Sequence, residues 1–228
     1  MARWVLAALG VALAQLLQGC LPRKPLGPRT PEVSKCSPLT SHSYMDCGKG
    51  VEVCGVLTLE TGEGSGPYKH PKPVVHGLWP EISHFGSSEC DHPKNSRDPT
   101  KIYPCFDTQG SQNSARWFER HEWEAHGTCA GVRDADDFFG QVCELSAQPL
   151  QVVEGSRAAG KDLAGMADDL QGAGFCVYRT MSNSQLQLSA CLDTKGHWHL
   201  ADLSSFPTVC GQGGDGGGGG ASGVCIKG

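Results

Sequence analysis

Two short stretches of this sequence concentrate the residue types that move protons. VVHGLWPE covers positions 74–81 and WFERHEWEAHGTCA covers 117–130. Together they hold His76, His121 and His126, the carboxylates Glu81 and Glu122, and the ring of Trp79. Imidazole titrates near pH 6.5, so it can serve as base or acid close to neutrality. Three imidazoles beside a carboxylate therefore read as acid–base apparatus. Metal ligation is the competing chemistry, and spacing separates the two. A helical zinc site needs H-E-x-x-H, with histidines four apart on one face. His121 and His126 are five apart, about 140° around a regular helix, so one ion could not take both without distortion. No metal and no cofactor are expected.

The same helical arithmetic places Glu122 at about 100° and Ala125 at about 40° from His121, on the side that also carries His126. Trp123 falls at about 200°, toward the core, and Arg120 points away at about −100°. A charged helical face is often merely solvated, so the second stretch alone is ambiguous. His76 follows two β-branched valines and precedes Gly77. It therefore ends a buried strand where a glycine lets a ligand approach, although a core histidine is the plainer alternative. Trp79 offers a flat ring for stacking a base, against the alternative of a core tryptophan. Glu81 is a second candidate contact, against that of an ordinary surface carboxylate.

These residues must be positioned by a folded domain. The chain has 228 residues, 39% hydrophobic and 19% charged, enough for one domain with tails. Positions 1–19, a short cationic start and an apolar run, read as a signal peptide. The run is too short to span a bilayer comfortably, so no membrane partner is expected. Leu17-Gln18-Gly19-Cys20 loosely resembles a lipid-attachment box, which Gln18 fits poorly. Export makes disulfides the default role of the 12 cysteines. The proline-rich stretch 20–35 reads as a disordered lead-in, 36–210 as the folded domain, and the glycine-rich 211–228 as a flexible tail. The net charge of −5 argues against an extended nucleic-acid stripe, but not against a pocket for one or two nucleotides.

Strands are expected over 51–59, 74–80, 175–179, 185–192 and 197–200. Helices are expected over 115–126, stopped by Gly127, over 135–145, and more weakly over 160–170. The stretches 61–73 and 81–112 read as loops, the second pinned by disulfides. His197 and His199 flank Trp198 and point the same way; a solvent-facing strand surface is the favoured reading over a metal pair.

VHGLWP and HEWEAHGTCA, once each and in this order, resemble the two active-site signatures of the ribonuclease T2 family. The resemblance is clear over 74–145 and continues more weakly to Cys210. It implies an α+β domain, an antiparallel sheet flanked by helices and stapled by disulfides. It also implies metal-independent cleavage of single-stranded RNA through a 2′,3′-cyclic phosphate to 3′-phosphate ends, by a secreted monomer. By resemblance His126 is the base, His76 the acid, and His121 and Glu122 attend the phosphate, while Trp79 and Glu81 contact a base. Disulfides Cys90–Cys129 and Cys176–Cys210 are implied as well, with Cys105 joined to Cys47 or Cys54. Two departures stand out. The family has a lysine where this chain has Ala125, which implies a slower enzyme or, alternatively, a weak or inactive binding or storage protein. The family's Gln-Trp-Pro turn before the first signature is also missing, so no base preference is inferred. An unrelated cysteine-rich interaction module is the remaining alternative.

Overall fold

β-Branched and leucine-rich runs that alternate at period two build the centre of the molecule. The computed structural model describes residues 45–81, 97–108 and 110–212. These belong to one unit, Val33–Gly228. The strands are β1 (Cys54–Glu60), β2 (Val74–Pro80), β3 (Val177–Met181), β4 (Gln185–Leu192) and β5 (Trp198–Leu200). The helices are α1 (Gln112–Ala125), α2 (Ala135–Ala158), α3 (Leu163–Gly172) and α4 (Phe206–Val209). All strand pairs are antiparallel, in the order β2-β1-β4-β3, with β5 also on β4. The expected α+β class, an antiparallel sheet with flanking helices and disulfides, is what the structure has. The expected signal peptide, lead-in, Cys90 and nearly all of the glycine tail lie outside the described residues. Among the described residues, no helix is long and apolar enough to cross a membrane.

Alternation along β1 sends Leu57 and Leu59 into the main core, with Trp123, Phe138, Phe139 and Leu170 from the helices. Cys54 and Val56 point to the other face, into a smaller core closed by Phe206 and Cys210. That second face turns polar toward the end of β1. Thr58 and Glu60 are buried there beside Gln185 and Gln187, with the Gln187 amide donating to Thr58 Oγ1 at 3.1 Å. A sheet face that is apolar at one end and polar at the other is a natural floor for a site.

The β1–β2 ladder contains a bulge. Thr58 faces Gly77 and Leu59 faces Val75, so His76 has no residue opposite it. Val75 and Leu78 consequently both enter the main core although they are three apart, which strict alternation forbids. A bulge re-aims a side chain, and the one it re-aims here is His76.

The helices differ from expectation in their bounds. α2 runs 13 residues past the expected end at Leu145, through Pro149. Proline removes a backbone donor, but Val142, Ser146, Pro149, Val153 and Ser156 form one buried stripe, and tertiary packing carries the helix across. Asp134 caps its start by accepting from Asp137 N–H at 2.9 Å. α1 stops at Gly127 as expected, though not by a left-handed glycine. The chain continues as a 3-10 turn over Gly127–Cys129, and a Cβ at 127 would lie 2.4 Å from the Trp123 ring.

The disulfides correct the expected pairings. Cys210 is joined to Cys191, not Cys176, and Cys105 to Cys143, while Cys47 joins Cys54. Cys191 faces the small core that α4 closes, which delivers Cys210 to it. Cys176 is buried just before β3, its carbonyl accepting from Ser189 N–H at 3.2 Å. Cys105 meets Cys143 because a 3-10 turn over Pro104–Phe106 packs on α2. Cys129 is disulfide-bonded, and its expected partner Cys90 lies outside the described residues.

Candidate active site

β2 and the C-terminal half of α1 meet above the polar end of the sheet. The contact is close because β2 has a glycine there. A Cβ on Gly77 would fall 2.0 Å from Glu122 Oε2. Glu122 is 1% exposed and lies between two imidazoles, with His76 Nε2 at 3.7 Å from Oε1 and His126 Nε2 at 4.0 Å from Oε2. Both are ion-pair distances, too long for hydrogen bonds. The Trp79 indole N–H does donate to Oε2, at 3.1 Å. Its ring also stacks on His126, with centroids 5.4 Å apart, and meets His76 edge-on at 5.1 Å.

His76 is enclosed by rings. Phe118 approaches it edge-on at 5.2 Å, and Tyr68 lies nearly parallel to it at 5.9 Å. His121 stands further out and is exposed. It stacks on Trp117 at 5.8 Å and presents its edge to His126 at 6.4 Å. The structure therefore gathers His76, His121, Glu122, His126 and Trp79 in one place. Trp123 is core, and Arg120 turns away to Asp98 and Glu124, as the helical wheel indicated. Glu81 follows β2, with its N–H on the Cys54 carbonyl at 2.7 Å.

Burial sets the charge states. Desolvation pushes Glu122 up to about 7, against the pull of the His76 charge and the Trp79 hydrogen bond, and Glu60 pushes it further up. Desolvation pulls His126 down to about 4, helped by the positive charges of His121 and His76. His126 is thus neutral over most of the acidic range, while Glu122 keeps its proton. Among the described residues, both basic side chains within 4 Å of Glu122 are histidines. Position 125 offers no cation.

Glu60 and Tyr68 also adjoin His76, and His70 adjoins Glu60; sequence reasoning did not single them out. The one available signal was a carboxylate ending an otherwise apolar strand. His197 and His199 bracket Asp193 at 3.8 and 2.9 Å on the surface, away from this cluster. No group of three or more metal-ligating side chains is found among the described residues.

An antiparallel sheet with a bulged histidine, facing a helix that supplies Glu-x-x-x-His, defines an α+β protein with an imidazole–carboxylate centre. Residues 52–154 match the ribonuclease T2 family. It is similar to a ribonuclease of Aeromonas hydrophila, 34% identical over 67 residues, which is 28% of this chain and 26% of that protein. It is also similar to ribonuclease T2 of Sus scrofa, 34% identical over 84 residues, 32% of this chain and 40% of that protein. The matched part is well under half of either relative. No solved structure matches the chain.

Proposed function

We propose that this protein is an endoribonuclease that cleaves single-stranded RNA by transphosphorylation, with the 2′-hydroxyl as nucleophile. The observation that carries the reading is Glu122 held between His76 and His126. RNA brings its own nucleophile, so the protein must take one proton, give one, and stabilise the phosphoryl oxygens between. His126, neutral above about pH 4, removes the 2′-hydroxyl proton. His76 donates to the departing 5′-oxygen through Nε2. Protonated Glu122 donates to a phosphoryl oxygen, and His121, at the exposed rim, adds positive charge. The 2′,3′-cyclic phosphate is then opened by water to a 3′-phosphate, with the two histidines exchanging roles. Trp79 holds Glu122 and His126 in place and offers its free edge to a base, with Glu81 nearby. The domain is 36–210, secreted after removal of 1–19, and acts as a monomer.

The purified chain should degrade single-stranded RNA near pH 5, with and without EDTA, leaving cyclic phosphate ends. His76→Ala and His126→Ala should each abolish this. RNA left intact by the parent protein would overturn the reading. One observation favours a second reading, binding without turnover: Ala125 provides no cation at the phosphate. Protection by nucleotides without cleavage would support it.

A further inference from the structure

His76 rests on a buried pair that the proton transfers above do not use. Glu60 and His70 have side chains only 8% and 3% exposed. Glu60 Oε2 lies 2.9 Å from His70 Nε2, and Oε1 lies 2.6 Å from His76 Nδ1. The other nitrogen of His70, Nδ1, lies 2.6 Å from the Lys72 carbonyl oxygen. A carbonyl oxygen only accepts, so His70 Nδ1 carries a proton. Burial pushes Glu60 up, but hydrogen bonds and charge from His70 and His76 outweigh it and hold Glu60 below the ordinary carboxylate value. Both ring nitrogens of His70 thus face acceptors, the Lys72 carbonyl on one side and the Glu60 carboxylate on the other.

The loop that brings His70 here is built for it. Arg157 of α2 binds Glu63 at 3.1 Å and the Pro71 carbonyl at 2.8 Å. His70 N–H donates to the Gly62 carbonyl at 3.2 Å. Gly62 has φ of 80°, and a Cβ there would lie 2.5 Å from the His70 oxygen.

We infer that Glu60 and His70 are positioning residues for His76, the carboxylate accepting from both rings so that His76 keeps its proton on Nδ1 and works through Nε2. The inference rests on His76 being the acid of the proposed reaction. In that step the Nε2–H bond breaks and an O5′–H bond forms as the P–O5′ bond breaks, with its electron pair left on O5′. The Nδ1–H bond survives, and the ring ends neutral and still bonded to Glu60. Such a carboxylate orients an imidazole and stabilises its cation without taking the proton. The groups facing His76 are Glu60 from β1, with His70 of the 61–73 loop behind it, Tyr68 from that loop, Glu122 and His126 from the α1 end, and the Gln185 amide of β4, 3.4 Å from Nδ1. Two of these are carboxylates on opposite sides of the ring. Glu60 is the one in hydrogen-bond contact.

The test is Glu60→Gln in the full chain, assayed on single-stranded RNA across pH. A glutamine has one oxygen where the carboxylate has two, so one of the two rings would meet an NH2 donor in place of its acceptor. The expected result is a fall in kcat of about ten- to hundredfold with KM little changed. Glu60→Asp, which keeps the charge, should recover part of the rate. Parental kcat in Glu60→Gln would overturn the inference. Nitrogen-15 spectra of the parent's histidines give a reading that needs no variant to fold. Neutral His76 should carry its proton on Nδ1, whereas a proton on Nε2 of neutral His76 would overturn the inference. A parent protein that cleaves no RNA would defeat the proposed function, and these spectra would still decide the role of Glu60.

Discussion

Gly77 and Glu122 share one volume. A Cβ on the glycine would sit 2.0 Å from Glu122 Oε2 and 2.6 Å from the Trp79 indole nitrogen. The missing side chain lets α1 lower its buried carboxylate onto the backbone of β2. The distance from strand histidine to helix histidine is set by that approach.

Gly77→Ala should therefore displace Glu122 and break its bond to Trp79. Overpacking of this kind costs about 1–3 kcal/mol, a loss that thermal unfolding would register. Activity should fall further than stability, by about a hundredfold or more, because a donor to the phosphoryl oxygens is moved. Turnover within twofold of the parent in a folded variant would show that Glu122 need not stand there.

The pH profile follows from two opposed shifts. Desolvation, with the charges of His121 and His76, lowers His126 to about 4, so kcat/KM should rise as pH increases through that value and the base is freed. Desolvation raises Glu122 to about 7, so a carboxyl that donates below this value becomes an anion facing phosphate above it. Activity should fall as pH passes about 7. A profile of kcat/KM between pH 3 and 9 reports these groups in the free enzyme. Glu122→Gln, which cannot ionise, should keep the acidic limb and soften the alkaline one.

Ala125 occupies the last turn of α1, immediately before His126. Ala125→Lys would place a cation at the site and at a helix C-terminus, where positive charge is favoured. Turnover should rise by about a hundredfold if a stabilising donor is what the site lacks. Single-turnover rates on RNA measure this, and an unchanged rate would remove Ala125 as a cause of slowness.

Glu119, on the inner side of α1, is fully buried, and its Oε1 accepts from Tyr103 N–H at 2.7 Å. Burial raises it to about 7, although the Tyr103 hydrogen bond and Arg116 oppose the rise. Between its unfolded value near 4.5 and about 7, the unfolded chain gives up this proton while the folded chain keeps it. Its contribution to stability is complete below 4.5 and is lost as pH rises toward 7. Glu122 acts in the same direction, and His126, lowered on folding, acts in the opposite one. Comparison with Glu119→Gln cancels both. The parent's melting temperature should fall relative to that variant between pH 4.5 and 7.5, and parallel curves would contradict the assignment.

Much of the site was legible because its residues lie within local patterns. Helical angle alone grouped His121, Glu122 and His126, sent Trp123 to the core, and turned Arg120 outward. Alternation in VEVCGVLTL marked β1, and the glycine-rich 61–73 stretch was correctly a loop. The bulge at His76 left one mark, two core residues three apart in a strand, which was not read as such. His70 carried no mark, since a histidine among glycines and prolines looks like any loop residue.

The sequence by itself determined where most strands and helices lie and which helix face bears the chemistry, because these depend on periods of 2 and 3.6 residues that neighbours along the chain enforce; the α+β class came with the resemblance of the two signatures. Tertiary structure alone decided the rest. Ladder register made His76 the bulged residue. Loop closure, clamped by Arg157 from 94 residues away along the chain from Glu63, brought His70 to Glu60. The pairing of Cys191 with Cys210 depended on which sheet face each cysteine meets. Contacts between distant segments are set by packing in three dimensions, and no local spacing encodes them.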